Sequence, residues 1–251
     1  MRTSLKGAAY GLAKTFARPV GLYPFPKTHR RHLVDILDEL RINCLLDVGG
    51  HYGEFGKLLR ELGFDGHILS FEPVSESFKL LQDSAKGDAK WRTFPFALAS
   101  EDGQSIIHLY KASDFNSLLS PSGVQDRFEH CTEEVGTETI NLRRLDSVFD
   151  EVTKDIPGAR IFLKMDTQGF DVQVVTGAAG VLDKILAMQS ELPGICLYAH
   201  QPSLLEALSF YWEQGFRPTG FFPVNHANDG VTVLEWDAVL VREGAAAAAK
   251  Q

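Results

Sequence analysis

Short apolar runs and amphipathic segments alternate along this chain from about residue 42 onward. Ile42 to Val48 (INCLLDV) is apolar enough for a strand buried on both faces, and a glycine-rich turn follows it. Glu54 to Leu62 then places Phe55, Leu58, Leu59 and Leu62 at the spacing of one helix face. His67 to Phe71 (HILSF) predicts a second strand, and Ser75 to Ala85 a second helix with Ser75 as its cap. Trp91 to Leu98 predicts a third strand, Ile161 to Met165 a fourth and Ile185 to Leu192 a fifth. Leu204 to Gln214 is a helix that stops at Gly215, a residue free to take the left-handed conformation of a helix end. Phe216 to Phe222 and Glu235 to Val241 complete the set as an antiparallel pair. Strands alternating with helices predict an α/β fold, a mostly parallel sheet with helices on both faces.

Between Glu101 and Asp150 the rhythm changes. Ser105 to Tyr110 and Glu138 to Arg143 alternate like half-exposed strands, and the Ser-rich stretch from Ala112 to Gly136 exceeds an ordinary connection. We read residues 101–143 as a lid or substrate-facing insertion in one domain spanning 33–243. An Ala-rich tail without a packing pattern follows at 244–251.

Charge adds one feature. The 251 residues carry 25 basic and 33 acidic side chains, a net of −8, which argues against broad nucleic-acid binding. The distribution is uneven. Residues 1–34 hold seven Lys and Arg and no acid, so 18 basic face 33 acidic side chains from Asp35 onward. Residues 1–32 thus form a basic arm, with Lys14 and Arg18 interrupting any secretory-type apolar stretch. The arm is either a solvated leader or a contact for an anionic membrane, carrier or partner. Cys44, Cys131 and Cys196 are widely spaced without a CxxC pair, which fits neither a disulfide scaffold nor a zinc site. Cys44 and Cys196 sit in apolar runs as small core residues. This usage suits a cytoplasmic protein, peripheral to the inner membrane if the arm binds there.

Three stretches carry candidate chemistry. Asp47-Val48-Gly49-Gly50-His51-Tyr52-Gly53 joins a strand to a helix. In open α/β sheets ligands bind at that carboxyl end, where the strand order reverses. His51 stands where a nicotinamide GxGxxG turn needs its second glycine, which disfavours a reductase. The run instead fits Asp-x-Gly-x-x-x-Gly, the turn of S-adenosylmethionine sites. Glu72 ends the second strand about 20 residues further on, where a carboxylate accepts both ribose hydroxyls, and Pro73 follows it. Lys164-Met165-Asp166-Thr167-Gln168-Gly169 ends the fourth strand beside the first turn; a charged pair there needs partners. Glu191 ends the fifth strand and His200 follows it, so His51, Glu191 and His200 are candidates for a metal or base cluster.

The order DVGGHYG, SFEP, FALAS, LRRLD, LKMDTQGFD, QSEL, YWEQGF and WDAVLV resembles the FkbM family of S-adenosylmethionine-dependent methyltransferases, over roughly Leu33 to Arg242. The resemblance implies a class I, Rossmann-like methyltransferase fold with a seven-stranded sheet and a reversed last strand. It implies methyl transfer to a hydroxyl of a sugar, glycan or polyketide-type product. Asp47, Gly49 and Gly53 match the family's cofactor turn, with Gly50 and His51 between them. Glu72 matches its ribose acid, and Ala97 and Leu98 its adenine-side segment. Asn116 and Ser117 match a loop that closes near the cofactor, and Asp166, Gln168 and Gly169 the strand-four element. His51 replaces the usual Asn, and Gln168 replaces a Glu found in many relatives.

Methyl transfer to a sugar hydroxyl needs in-line positioning and a base, or a divalent cation that lowers the hydroxyl's pKa. Asp166 is the leading candidate for base or cation ligand, with Glu191 and His200 in support. The rival reading is a cofactor-binding accessory protein without transferase activity.

Overall fold

The computed structural model describes residues 27–122, 133–227 and 229–248. The basic arm through residue 26, residues 123–132 of the insertion with Cys131, and the last three tail residues lie outside them.

Two strands buried along their whole length, β1 (Cys44–Val48) and β7 (Ile161–Met165), form the centre of the main sheet. They run parallel in register from Cys44 opposite Ile161 to Val48 opposite Met165. Such strands must be apolar throughout because helices cover both faces, yet Asp47 and Lys164 lie opposite each other within this pair. On one side of β1 lie β2 (His67–Phe71) and β3 (Trp91–Phe94). On the far side of β7 lie β8 (Ile185–Pro193), β10 (Val233–Arg242) and β9 (Phe216–His226). The order is β3-β2-β1-β7-β8-β10-β9, and β10 is antiparallel to both of its neighbours. This is the expected class I fold with its reversed last strand. The strand order reverses between β1 and β7, which opens a crevice at their carboxyl ends.

One face is covered by α1 (His29–Glu39), α2 (Glu54–Glu61) and α3 (Ser75–Ala85), with Leu33, Leu59 and Leu81 fully buried. The other carries α4 (Leu145–Thr153), α5 (Asp171–Thr176) and α6 (Leu204–Glu213), around Leu145, Val174 and Tyr211. Each fully buried Leu removes enough apolar surface to contribute about 2 kcal/mol.

Several expectations are corrected. The predicted strand Trp91–Leu98 divides after Phe94, because Pro95 lacks a backbone donor for the ladder. Its second piece, β4 (Ala97–Leu98), joins β5 (Gly103–Tyr110) and β6 (Glu134–Arg143) in a separate three-stranded sheet. The described part of the insertion is therefore a hairpin continuous with the domain. Ser75 does not cap α3: Val74 holds the N-cap position, and the Ser75 hydroxyl donates to Glu138. Helix α1 starts at His29, capped by Thr28, so the expected boundary at 32–33 falls inside a helix. Ala245–Ala248 form a helical turn, with Ala245 packed in the core. Cys44 is buried as expected; Cys196 is only half-buried, in irregular chain after β8. Among the described residues no helix is long and apolar enough to cross a membrane.

Candidate functional site

A cavity of about 630 Å³ opens at the reversal point between β1 and β7. Its construction begins with Gly49, which follows β1 with φ +73°. A Cβ there would lie 1.9 Å from the Asp166 carbonyl oxygen, so only glycine lets the two turns pass. The amides of Gly49 and Gly50 both donate to Phe71 O at 3.0 Å, tying the turn to β2. The next amide, of His51, donates to Glu72 Oε2 at 2.9 Å, and Val74 N donates to Glu72 Oε1 at 3.0 Å. Glu72 lines the cavity at only 6% exposure, and burial pushes its carboxyl up to about 7 against those two amides. Each of its oxygens keeps a lone pair for a ligand donor. Pro73, Val74, Ala97, Leu98 and Ile107 continue this end as an apolar wall, with Asn116 at its edge.

His51, which also lines the cavity, adopts φ 44°. Its ring stacks on Tyr52 at 3.5 Å, and both side chains reach Ser113 Oγ, at 2.9 and 2.7 Å. They fasten the insertion's short 3₁₀ turn, Ser113–Phe115, whose Ser113 and Asp114 line the cavity.

The other end is polar. Lys164 Nζ lies 3.5 Å from both Asp47 Oδ1 and Asp166 Oδ2 and donates to Gly49 O at 3.2 Å. Burial disfavours its charge, but Asp166 and Asp47 outweigh that and hold the ammonium protonated above the ordinary lysine range. The Asp166 side chain is 42% exposed to the cavity. Gln168, at φ 52°, donates from Nε2 to Asp166 Oδ1 at 3.1 Å and to Glu191 Oε2 at 3.0 Å. Its Oε1 accepts from Tyr198 OH at 2.7 Å. A neutral amide here joins two carboxylates that a third carboxylate would repel. Burial first, then Asp166 and Glu235, push the Glu191 carboxyl well above the usual range.

Nine of the expected cofactor residues therefore line the same cavity: Gly49, Gly50, His51, Glu72, Pro73, Ala97, Leu98, Asp166 and Gln168. Three others stand behind it. Asp47 is fully buried; it accepts from Ser70 Oγ at 2.8 Å and acts on the cavity through Lys164. Gly53, at φ +85°, starts α2 where a Cβ would press on Trp91. Ser117 is buried and donates to the Gln168 carbonyl at 2.8 Å. Of the expected catalytic residues, Asp166 and Glu191 come together but His200 does not. The Gln201 side chain accepts the Leu197 and Tyr198 amides, and this turn leaves His200 exposed in a separate groove beside Phe210. Among the described residues no group of three His, Cys, Asp or Glu side chains could hold a metal ion, so the cluster expected from His51, Glu191 and His200 does not form.

Residues that the sequence reading missed complete the polar end: His29 from α1, Gln189 from β8 and Asp237 from β10, with Phe55, Leu58 and Val224. An acid inside the apolar run of β10 was the available signal for Asp237; nothing local marks His29.

The family model "Methyltransferase FkbM domain" matches residues 47–218, more than half of the chain. Among solved structures, a methyltransferase FkbM from Methylobacillus flagellatus is 13% identical, with a TM-score of 0.49. The match covers 78% of this chain and 43% of that one, so the chain spans less than half of that relative's length. An rRNA methylase from Streptococcus thermophilus (8% identity, TM-score 0.45) matches over 87% of this chain and 98% of its own. A precorrin-6y C5,15-methyltransferase from Geobacter metallireducens (10% identity, TM-score 0.43) matches over 86% and 90%. None of the curated proteins matches the sequence.

Proposed function

This chain belongs to the FkbM methyltransferase family, and on that premise we propose that it methylates a hydroxyl oxygen of a sugar, glycan or related natural product. The observation that carries the reading is a single cavity with two chemically different ends. One end has a buried carboxylate with open lone pairs beside a glycine cradle and an apolar slot. That set fits S-adenosylmethionine: Glu72 would hold the ribose, Ala97 and Leu98 would flank the adenine, and the Gly49–His51 turn would pass beneath. Bound there, S-adenosylmethionine supplies an electrophilic methyl group on a sulfonium.

The other end presents Asp166, Glu191 and Asp237. Carboxyl oxygens accept hydrogen bonds from hydroxyls, which favours a polyol acceptor. Asp166 Oδ1 is engaged by Gln168, whereas Oδ2 sits 3.5 Å from Lys164 with a lone pair free. In the proposed reaction Oδ2 takes the hydroxyl proton, and Lys164 steadies the carboxylate. No divalent cation is assigned a part. The described end of the basic arm is largely paired within the domain: Lys27 and Arg31 with Asp35 at 3.1 and 3.0 Å, and Arg30 with Glu61 at 3.7 Å. A contact of the arm with an anionic carrier or the inner membrane face is a proposal that rests on its basic charge.

Calorimetry with S-adenosylmethionine, combined with an assay for S-adenosylhomocysteine release from sugar acceptors, tests the reading. Binding with product release is expected. Binding without product from any acceptor would favour the accessory-protein alternative.

The Glu72 pKa sets a pH dependence. Only the ionised carboxylate accepts both ribose hydroxyls, so cofactor binding draws the proton off. Affinity is full above the folded value of about 7 and falls as pH drops through it. Calorimetry at pH 8 and pH 6 should show a dissociation constant about tenfold weaker at the lower pH. Glu72→Gln should bind weakly at both. An unchanged constant between the two pH values would remove Glu72 from the ribose site.

A further inference from the structure

We infer that α1 and the last strand pair build the acceptor subsite, where His29 and Asp237 grip adjacent hydroxyls of a sugar ring. The inference rests on the proposed sugar methylation and names the side chains that choose the acceptor. Both residues lie outside the 47–218 segment matched by the family model.

His29, Gln189 and Asp237 form a three-membered polar ring with one side open. Gln189 Nε2 donates to Asp237 Oδ1 at 2.9 Å, so its Oε1 is the atom that meets His29 Nε2, also at 2.9 Å. Oε1 can only accept, and Nε2 of His29 must therefore carry the proton. Nδ1 is then the ring atom left for a further partner. It faces Asp237 Oδ2 across 3.6 Å, too far for a direct hydrogen bond. The two atoms stand close enough for adjacent hydroxyls of one ligand to reach both, and neither makes a direct hydrogen bond to the other.

The pair is reachable, since both side chains line the cavity and keep 24% and 21% of their surface exposed. It is also held firmly. The His29 ring stacks on Phe222 of β9 at 4.8 Å, and Gln189 is buried at the base. A ligand that bridges the gap needs two adjacent groups able to donate or accept, which is what neighbouring hydroxyls on a pyranose provide. Phe55, Leu58 and Val224 line the same cavity and offer apolar surface to the C–H face of such a ring. Amphipathic rings of this kind suit a site with polar groups at one edge and apolar walls.

The test uses the full chain, S-adenosylmethionine, and methyl pyranosides of the gluco, manno, galacto and rhamno series with their monodeoxy analogues. His29→Phe keeps a ring on Phe222 and removes both nitrogens. Asp237→Asn places an amide donor in the gap itself. In each variant KM for the best pyranoside should rise about tenfold, the worth of one lost hydrogen bond. The loss should fall on KM rather than kcat, and the cofactor dissociation constant should stay within twofold. A deoxy analogue lacking one gripped hydroxyl should cost the parent protein the same factor and cost the variants little more. Unchanged KM in both variants would overturn the subsite and leave the methyltransferase reading standing. Loss of cofactor binding in both variants would show a structural role and overturn it as well. If the parent binds cofactor yet methylates no pyranoside, the sugar reading and this inference fall together.

Discussion

Asp166→Asn is expected to lower turnover about a thousandfold while leaving S-adenosylmethionine affinity within a few-fold. A positioned general base contributes about 10²–10⁴ in rate, and a thousandfold corresponds to about 4 kcal/mol of barrier. The amide can still accept from Gln168 Nε2 through its oxygen, so the bracket between Asp166 and Glu191 survives. What disappears is the anionic Oδ2 beside Lys164. Asp47 remains beside the buried Lys164 to neutralise it, so the protein still folds, with some loss of stability. Release of S-adenosylhomocysteine, measured with calorimetric cofactor binding, decides the matter. Turnover near the parent level would withdraw the proton from Asp166 and pass it to another group of the cavity.

Gly49→Ala carries the second large effect, on folding and cofactor binding together. The added Cβ would meet the Asp166 carbonyl oxygen at 1.9 Å, and a backbone atom cannot turn aside as a side chain does. The position also has φ +73°, a conformation costing an L-residue about 1–2 kcal/mol. With steric crowding of about 1–3 kcal/mol more, the expected loss is about 2–5 kcal/mol. That would lower the melting temperature by about 10 °C in a domain of this size. Relief requires the ends of β1 and β7 to part, which also moves Asp166. Gly50→Ala is the internal control. Its nearest neighbours would be side-chain atoms, Ser70 Cβ at 3.1 Å and Leu81 Cδ2 at 3.2 Å, so a smaller loss is expected. Thermal unfolding of both variants, with cofactor titration, checks the ranking. If Gly49→Ala melts and binds like Gly50→Ala, the close approach of the two turns is not what requires glycine.

These two sites show what kind of information the chain carries locally. The strand His67–Phe71 and the helix Ser75–Ala85 fall where hydrophobic spacing placed them, because burial on one or both faces imposes a period that neighbours in sequence record. Glu72 was legible for the same reason: a strand end beside a glycine turn is a local signature with a fixed place in this fold. Pro95 had the chemistry to divide a strand, yet an apolar run on both sides concealed the division. Ser75 had the right residue type for a cap, but Glu138, distant in sequence, claimed its hydroxyl.

The histidines separate the two levels most clearly. His200 stood next to a chemically suggestive strand end, and a side chain two residues away, Tyr198, reaches Gln168 in its place. His29 stood in an unremarkable basic stretch, and the antiparallel return of β10 and β9 brings Asp237 and Phe222 against it. By itself the sequence pattern determined the alternation of strands and helices, hence a mostly parallel sheet, and the glycine turn with its partner acid. Those depend on contacts between near neighbours and on a periodicity the chain repeats. Only the tertiary structure decided which polar side chains share the cavity and which stand behind it. That choice depends on strand order and turn direction, which bring together residues as far apart as His29 and Asp237 and leave no trace in the local pattern.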